Sequence, residues 1–172
     1  HRPPVDPELY EQIPLVKKIM DSFNVPIYEL DGFEADDLVG TLSKQANKLN
    51  MDSLIVTGDA DQLQLVDDRT RVLMYTGFGN SRVYDDSAVK DRYDGLGPEY
   101  IAEIKALEGD PSDNIPGVSG IGIKTAGTLI SKFSSLDNLY SSIAQVSSES
   151  QRKKLIAGKK NAYIAKELIT LK

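Results

Sequence analysis

Two domains, an α/β domain over residues 1–103 and an all-α helix-hairpin-helix domain over residues 104–172, are what the order of elements predicts. Three observations carry this. A short apolar, β-branched run, SLIVT at 53–57, ends in Gly58-Asp59 and is preceded by segments with three- and four-residue apolar spacing. Beyond Pro98 every apolar pattern is helical. The glycine-spaced stretch IPGVSGIGIKTA at 115–126 joins two of those helices.

The elements follow in order. Residues 8–23 place Ile13, Val16, Ile19, Met20 and Phe23 on one stripe, the pattern of a helix with one buried face. After Asn24 and Pro26, residues 27–30 read as a short extended stretch, and Gly32 turns the chain into a second helix over 34–49 with Leu38, Val39, Leu42 and Ala46 inward. The strand at 53–57 should be buried and end in a loop, the position where open α/β sheets bind ligands. A helical turn at 63–66, a strand at 72–75, its hairpin partner at 82–84 around Gly77 and Gly79, and a helix at 86–93 complete the first domain. Helices are then expected at 100–107, 122–133, 136–142, 149–157 and 160–168, with SSIAQVSSES at 141–150 as a polar, mobile connection. Tyr100, Phe133, Tyr140 and Tyr163 read as core residues rather than stacking platforms.

Composition excludes several classes. The 172 residues contain no cysteine, so disulfides, thiolate ligands and thiol nucleophiles are ruled out, and one histidine, His1 at the chain end, makes a histidine triad or zinc site a poor expectation. No apolar run is long enough to span a bilayer, and the expected location is cytoplasmic, with no membrane partner. The opening HRPPVDPEL reads as a cut through a longer protein. The net charge of −6 is unevenly spread: residues 1–103 carry 10 Lys and Arg against 20 Asp and Glu, whereas residues 104–172 carry 10 against 6. Acid is concentrated in the first part, and the second could meet a polyanion.

Seven of the carboxylates cluster at element ends: Glu34, Asp36 and Asp37 in GFEADD, Asp59 and Asp61 in TGDAD, and Asp110 and Asp113 in GDPSDN. The first group opens a helix and the second follows a strand, so both can reach one crevice at the sheet edge. Hard oxygen ligands suit Mg²⁺ or Mn²⁺, and two such ions about 4 Å apart support phosphodiester hydrolysis. Each cluster alone reads more readily as helix-dipole or turn chemistry, and their joint occurrence is what points to a metal site. In the hairpin, Gly117, Val118, Gly120, Ile121 and Gly122 permit close backbone approach to a phosphate. Lys124 and Thr125 open the next helix, whose free N–H groups favour anions. Arg152, Lys153, Lys154, Lys159, Lys160 and Lys166 could extend the track.

The order GFEADD, TGDADQLQL, ALEGDPSDNIPGVSGIGIKTA and FSSLDNL resembles the 5′-nuclease domains of bacterial DNA polymerases, within the wider flap-endonuclease family. The resemblance implies a PIN-like (Rossmann-like) core followed by a SAM-like domain. It implies a two-metal site drawing on Glu34, Asp36, Asp37, Asp59, Asp61, Asp110 and Asp113, with Asp36, Asp59, Asp61 and Asp113 catalytic. It further implies duplex DNA held at the hairpin with a K⁺ ion, substrates that are 5′ flaps, nicks or RNA primer ends, and a covalently linked polymerase domain. In that family the core begins with two strands bearing further metal-binding Asp residues and a helical arch. None of these is present here, and His1-Arg2-Pro3-Pro4 falls just after the arch. Two other readings remain: a non-catalytic duplex-binding module, and an α/β phosphatase or transferase using Asp59 and Asp61.

Overall fold

The computed structural model describes residues 6–77 and 79–171. The readings attached to His1, Arg2, Pro3 and Pro4 lie outside the described residues. Helix α1 (Pro7–Ser22) begins with Asp6 accepting from the Glu8 N–H at 3.0 Å. Its expected buried face is not buried: Ile13, Val16, Ile19 and Phe23 are between 44% and 73% exposed. No regular strand forms at residues 27–30. Helix α2 (Ala35–Lys48) follows. Of the side chains expected inward, Val39 packs against the core and Leu38 and Ala46 are half-buried, but Leu42 is exposed, while Gly40 and Ser43 are the buried positions. The rotation has a steric cause: a methyl group on Gly40 would lie 3.2 Å from the Leu65 side chain, so the helix settles on its glycine face.

Three strands form a small mixed sheet. β1 (Ser53–Thr57) runs parallel to β2 (Thr70–Tyr75) in the register Ile55 to Val72, and β2 pairs antiparallel with β3 (Ser81–Tyr84). Between β1 and β2 lies a 3-10 turn, Ala60–Leu65, whose Asp61, Gln62, Leu63 and Leu65 are buried. The parallel connection therefore places this turn beyond the carboxyl end of β1. Helix α3 (Asp86–Arg92), capped by Asp85 at the Ala88 N–H (2.8 Å), closes the first part.

A short turn, Pro98–Tyr100, leads into α4 (Ile101–Glu108), whose Ile101, Ile104 and Leu107 are wholly buried. Packed around α4 are α5 (Ile123–Phe133) and α7 (Glu149–Ile169), with α6 (Leu136–Ser141) against α5. Glu103 ties three helices together, accepting from the Leu136 N–H (3.0 Å) and from Lys166 Nζ (2.6 Å). The two helices expected at 149–157 and 160–168 are one, because the apolar phase of Leu155, Ala162, Ala165 and Ile169 continues through Gly158. The 141–150 connection is anchored rather than loose: Val146 is buried, and Lys132 and Arg152 donate to the carbonyls of Gln145 and Ala144 at 2.9 and 3.1 Å. Phe133 and Tyr140 are buried, and Tyr100 and Tyr163 pack against the core, as their sequence context predicts. Apolar packing is continuous from Ile55 through Leu107 to Leu155, so the two parts share one core.

Residues 98–172 are not purely helical. β4 (Gly109–Asp110) pairs antiparallel with β5 (Ile115–Pro116), pinching the GDPSDN loop into a compact bulge. The crossing requires two glycines. Gly109 has φ +84°, and a methyl group there would lie 2.3 Å from the Gly117 nitrogen.

Candidate metal centre and glycine hairpin

Each carboxylate is aimed by local backbone chemistry. Asp36 and Asp37 occupy the first turn of α2, where the helix dipole favours acids, and Asp37 accepts from the Glu34 N–H at 3.4 Å. Asp59 leaves the end of β1 and caps the 3-10 turn, accepting from the Asp61 N–H at 2.8 Å. Asp110 organises its own loop, accepting from the N–H groups of Ser112 (2.9 Å) and Asp113 (3.4 Å) and from the Ser112 hydroxyl.

Five of the seven acids meet. Glu34, Asp36, Asp59, Asp61 and Asp113 line one cavity of about 210 Å³, closed by Ile115, Leu168, Ile169 and Leu171. A neighbouring hollow of about 380 Å³ is lined by Gly58, Asp59, Ala60, Lys105, Asp110 and Ser112, so Asp59 is common to both. Asp37 lines neither. Convergence shows in the electrostatics. Burial raises the Asp36 carboxyl, a Gln62 hydrogen bond opposes this, and Asp59, Asp37 and Asp113 add repulsion. Burial likewise pushes Asp61 up to about 6, with Asp59 and Asp110 adding to it against the pull of Lys105. Asp110 goes the other way: burial is outweighed by hydrogen bonds from Lys105 and Ser112, which hold it at about 2.

Lys105 was not anticipated as a site residue. It donates to both Asp61 and Asp110, the latter at 2.7 Å, and its ammonium is held above its ordinary pKa because these hydrogen bonds outweigh the cost of burial. The sequence signal is a lone lysine inside the apolar helix IAEIKALE, on the face that carries Ile101 and Ile104. Gln62 was also missed; it is 1% exposed, and its Oε1 has no hydrogen-bond partner among the described residues.

The donor chemistry fits hard divalent cations: all-oxygen and acid-rich. As the side chains stand, no group of three or more among the described residues is arranged to hold an ion. Closing on one requires the carboxylates to turn toward it.

The hairpin lies between α4 and α5. The Val118 N–H donates to the Leu107 carbonyl (2.8 Å) and the Ile121 N–H to the Val118 carbonyl (2.9 Å). Val118 and Ile121 are 2% and 3% exposed, so their side chains anchor the loop and only their main chain could meet a ligand. Gly120 has φ +75°, and its carbonyl accepts from Lys154 of α7 at 3.2 Å. Gly120, Gly122 and Lys124 are exposed, while Gly117 and Thr125 are half-buried. Arg92 of α3 shares a hollow of about 180 Å³ with Lys124, a pairing the sequence did not suggest. On α7, Lys153, Lys154, Lys159 and Lys160 are exposed, whereas Lys166 is held by Glu103.

Comparison with known proteins gives the family to which this acidic crevice and glycine hairpin belong. The chain belongs to the 5′-3′ exonuclease family: the model for its N-terminal resolvase-like domain matches residues 1–94, and that for its C-terminal SAM fold matches residues 96–172. DNA polymerase I of Bacillus subtilis is 42% identical over 166 residues, covering 96% of this chain. That of Chloroflexus aurantiacus is 46% identical over 139 residues, covering 79%. The chain spans 19% and 15% of the lengths of these two relatives. Among solved structures, a 5′-exonuclease of bacteriophage T5 with bound zinc superposes with a TM-score of 0.78 at 22% identity, over 96% of this chain and 62% of that one. The catalytic core of Rad2 in complex with DNA superposes at 0.63 with 19% identity, over 97% and 56%. These likenesses establish the shared fold. Among the described residues, no helix is long and apolar enough to cross a membrane.

Proposed function

We propose that this chain belongs to a metal-dependent 5′-nuclease unit that hydrolyses phosphodiester bonds in 5′ flaps, nicks and RNA primer ends of branched DNA, covalently linked to a polymerase. The observation that carries this is the meeting of Glu34, Asp36, Asp59, Asp61 and Asp113, from three separate stretches, in one cavity. Membership of the 5′-3′ exonuclease family supports it, as do its relatives: DNA polymerase I of Bacillus subtilis, and a bacteriophage T5 flap endonuclease solved in complex with DNA and metal ions.

In this reading the residues up to 103 supply most of the carboxylates and residues 104–172 the grip on DNA. Glu34, Asp36, Asp59, Asp61, Asp110 and Asp113 would hold two Mg²⁺ or Mn²⁺ ions, with Asp37 supporting them from the first turn of α2, and the ions when bound would lower the pKa of water and offset the charge on the departing oxygen. Asp36, Asp59, Asp61 and Asp113 act closest to the reacting phosphate. Gly117, Gly120 and Gly122 bring main-chain N–H groups to a duplex phosphate, with Lys124 and Thr125 beside them and Val118 and Ile121 fixing the loop. A K⁺ ion at the hairpin would reinforce that contact. Neither contact reads base sequence.

The test is a 5′-labelled flap duplex incubated with the chain in Mg²⁺ or Mn²⁺. Short 5′ products are expected, abolished by chelator and reduced by about 100-fold or more in Asp59→Asn, Asp61→Asn. Binding of the flap without any metal-stimulated cleavage would leave only the duplex-binding module.

A further inference from the structure

Lys105 carries a role that the hydrolytic reading does not use. It lies in the middle of α4, is 8% exposed, and its ammonium bridges Asp61 (7% exposed) and Asp110 (9% exposed). Two buried carboxylates facing one another are costly without a cation, and a protein-borne ammonium is one way to supply it. On the other side of Asp59 the arrangement differs. Among the described residues no Lys or Arg forms a salt bridge to Glu34, Asp36 or Asp59. The Asp61–Asp110 part of the acidic crevice therefore carries a protein-borne cation.

We propose that Lys105 is a positioning residue that holds Asp61 and Asp110 together before metal arrives, and that a divalent ion enters between them only as the Lys105 ammonium withdraws. The Asp61–Asp110 pair then exchanges one cation for another and binds a dication more weakly than it would without Lys105. An ammonium and a dication cannot share the space between the same two carboxylates, because their repulsion in a poorly solvated site is large. Replacing Lys105 with a neutral side chain of similar length removes the competitor and leaves both acids.

This inference rests on the metal-dependent reading, and one experiment separates the two. The thermal midpoint of the full chain is measured in chelator and across a Mn²⁺ titration for wild type, Lys105→Met and Lys105→Arg. Lys105→Met is expected to melt below wild type in chelator and to gain more from Mn²⁺. About tenfold tighter binding at the exchanged position corresponds to about 3–6 °C of additional rise. Lys105→Arg, which keeps the charge, should respond as wild type does. A wild-type response to Mn²⁺ that Lys105→Met does not exceed would overturn the role of Lys105 while leaving the metal reading intact. No response in any of the three chains would overturn both. If Lys105→Met fails to fold at every Mn²⁺ concentration, Lys105→Gln is judged by the same midpoint comparison.

Discussion

Asp61 and Asp110 flank the same ammonium, yet their carboxyls are displaced in opposite directions, to about 6 and about 2. Asp110 has Ser112 and its loop N–H groups to stabilise the charged form, and Asp61 has only Lys105 against burial and two neighbouring carboxylates. The consequence for stability has two signs. Between the ordinary carboxylate value of 3.8 and about 6 the folded chain holds more protons than the unfolded one at Asp61, so metal-free stability rises as the pH falls from 7 to 5. Asp110 stabilises the fold above 3.8, and that contribution is lost as the pH falls from there toward about 2. Thermal melts in chelator should therefore show a maximum at about pH 4–5. A midpoint that only falls below pH 7 would mean that Asp61 is not held in this environment. The acids themselves were legible in the sequence because clusters at element ends are a local pattern. Lys105 and Gln62 were not, because a polar side chain in an apolar helix or turn gives no sign of its partner until the fold brings residues 61, 105 and 110 together.

At the scale of elements, sequence reasoning succeeded where one period dominated. The strands at 53–57 and 72–75, the hairpin partner and the helix after Gly122 all stand within a few residues of expectation. It failed where tertiary packing decided. Gly158 reads as a break, yet α7 runs through it, and the missing side chain leaves room for Val118, whose methyl would lie 2.9 Å from a Cβ there. A glycine that reads as a boundary thus seats the hairpin against α7. That arrangement leaves Lys124 exposed at the start of α5, so Lys124→Ala should weaken duplex binding equally for all sequences and lower the log–log salt slope by about 0.9 for the lost phosphate contact. Fluorescence anisotropy with an unrelated pair of duplexes checks this. An unchanged slope would remove Lys124 from the interface.

At the scale of the whole molecule, the core is continuous but the described residues leave one side of it uncovered. Ile55 is buried in the core, whereas Leu54 and Val56 on the same strand are 57% and 65% exposed, and the apolar stripe of α1 is exposed as well. This is why the periodicity of α1 predicted burial that the described residues do not provide: the pattern records an apolar face and does not record what covers it. Ile55→Ala should cost about 2–4 kcal/mol, as for other buried large-to-small changes. Val56→Lys should change stability by no more than about 0.5 kcal/mol and reduce self-association, since an open apolar strand edge is a pairing site. Denaturant melts and light scattering on the two variants check both. A large loss in Val56→Lys would show that β1 is covered in solution. Charge is likewise divided at this scale. Lys105 of α4 bridges two of the crevice acids, while Lys154 of α7 meets the hairpin at the Gly120 carbonyl.

The claim on which these points depend is that the acidic crevice is a site for hard divalent cations. Crystals of the chain soaked in Mn²⁺ and recorded near the manganese absorption edge test it most directly. Anomalous density in the cavity lined by Glu34, Asp36, Asp59, Asp61 and Asp113 is the predicted result. An empty cavity at saturating Mn²⁺, with the carboxylates unmoved and Lys105 still bridging Asp61 and Asp110, would contradict it.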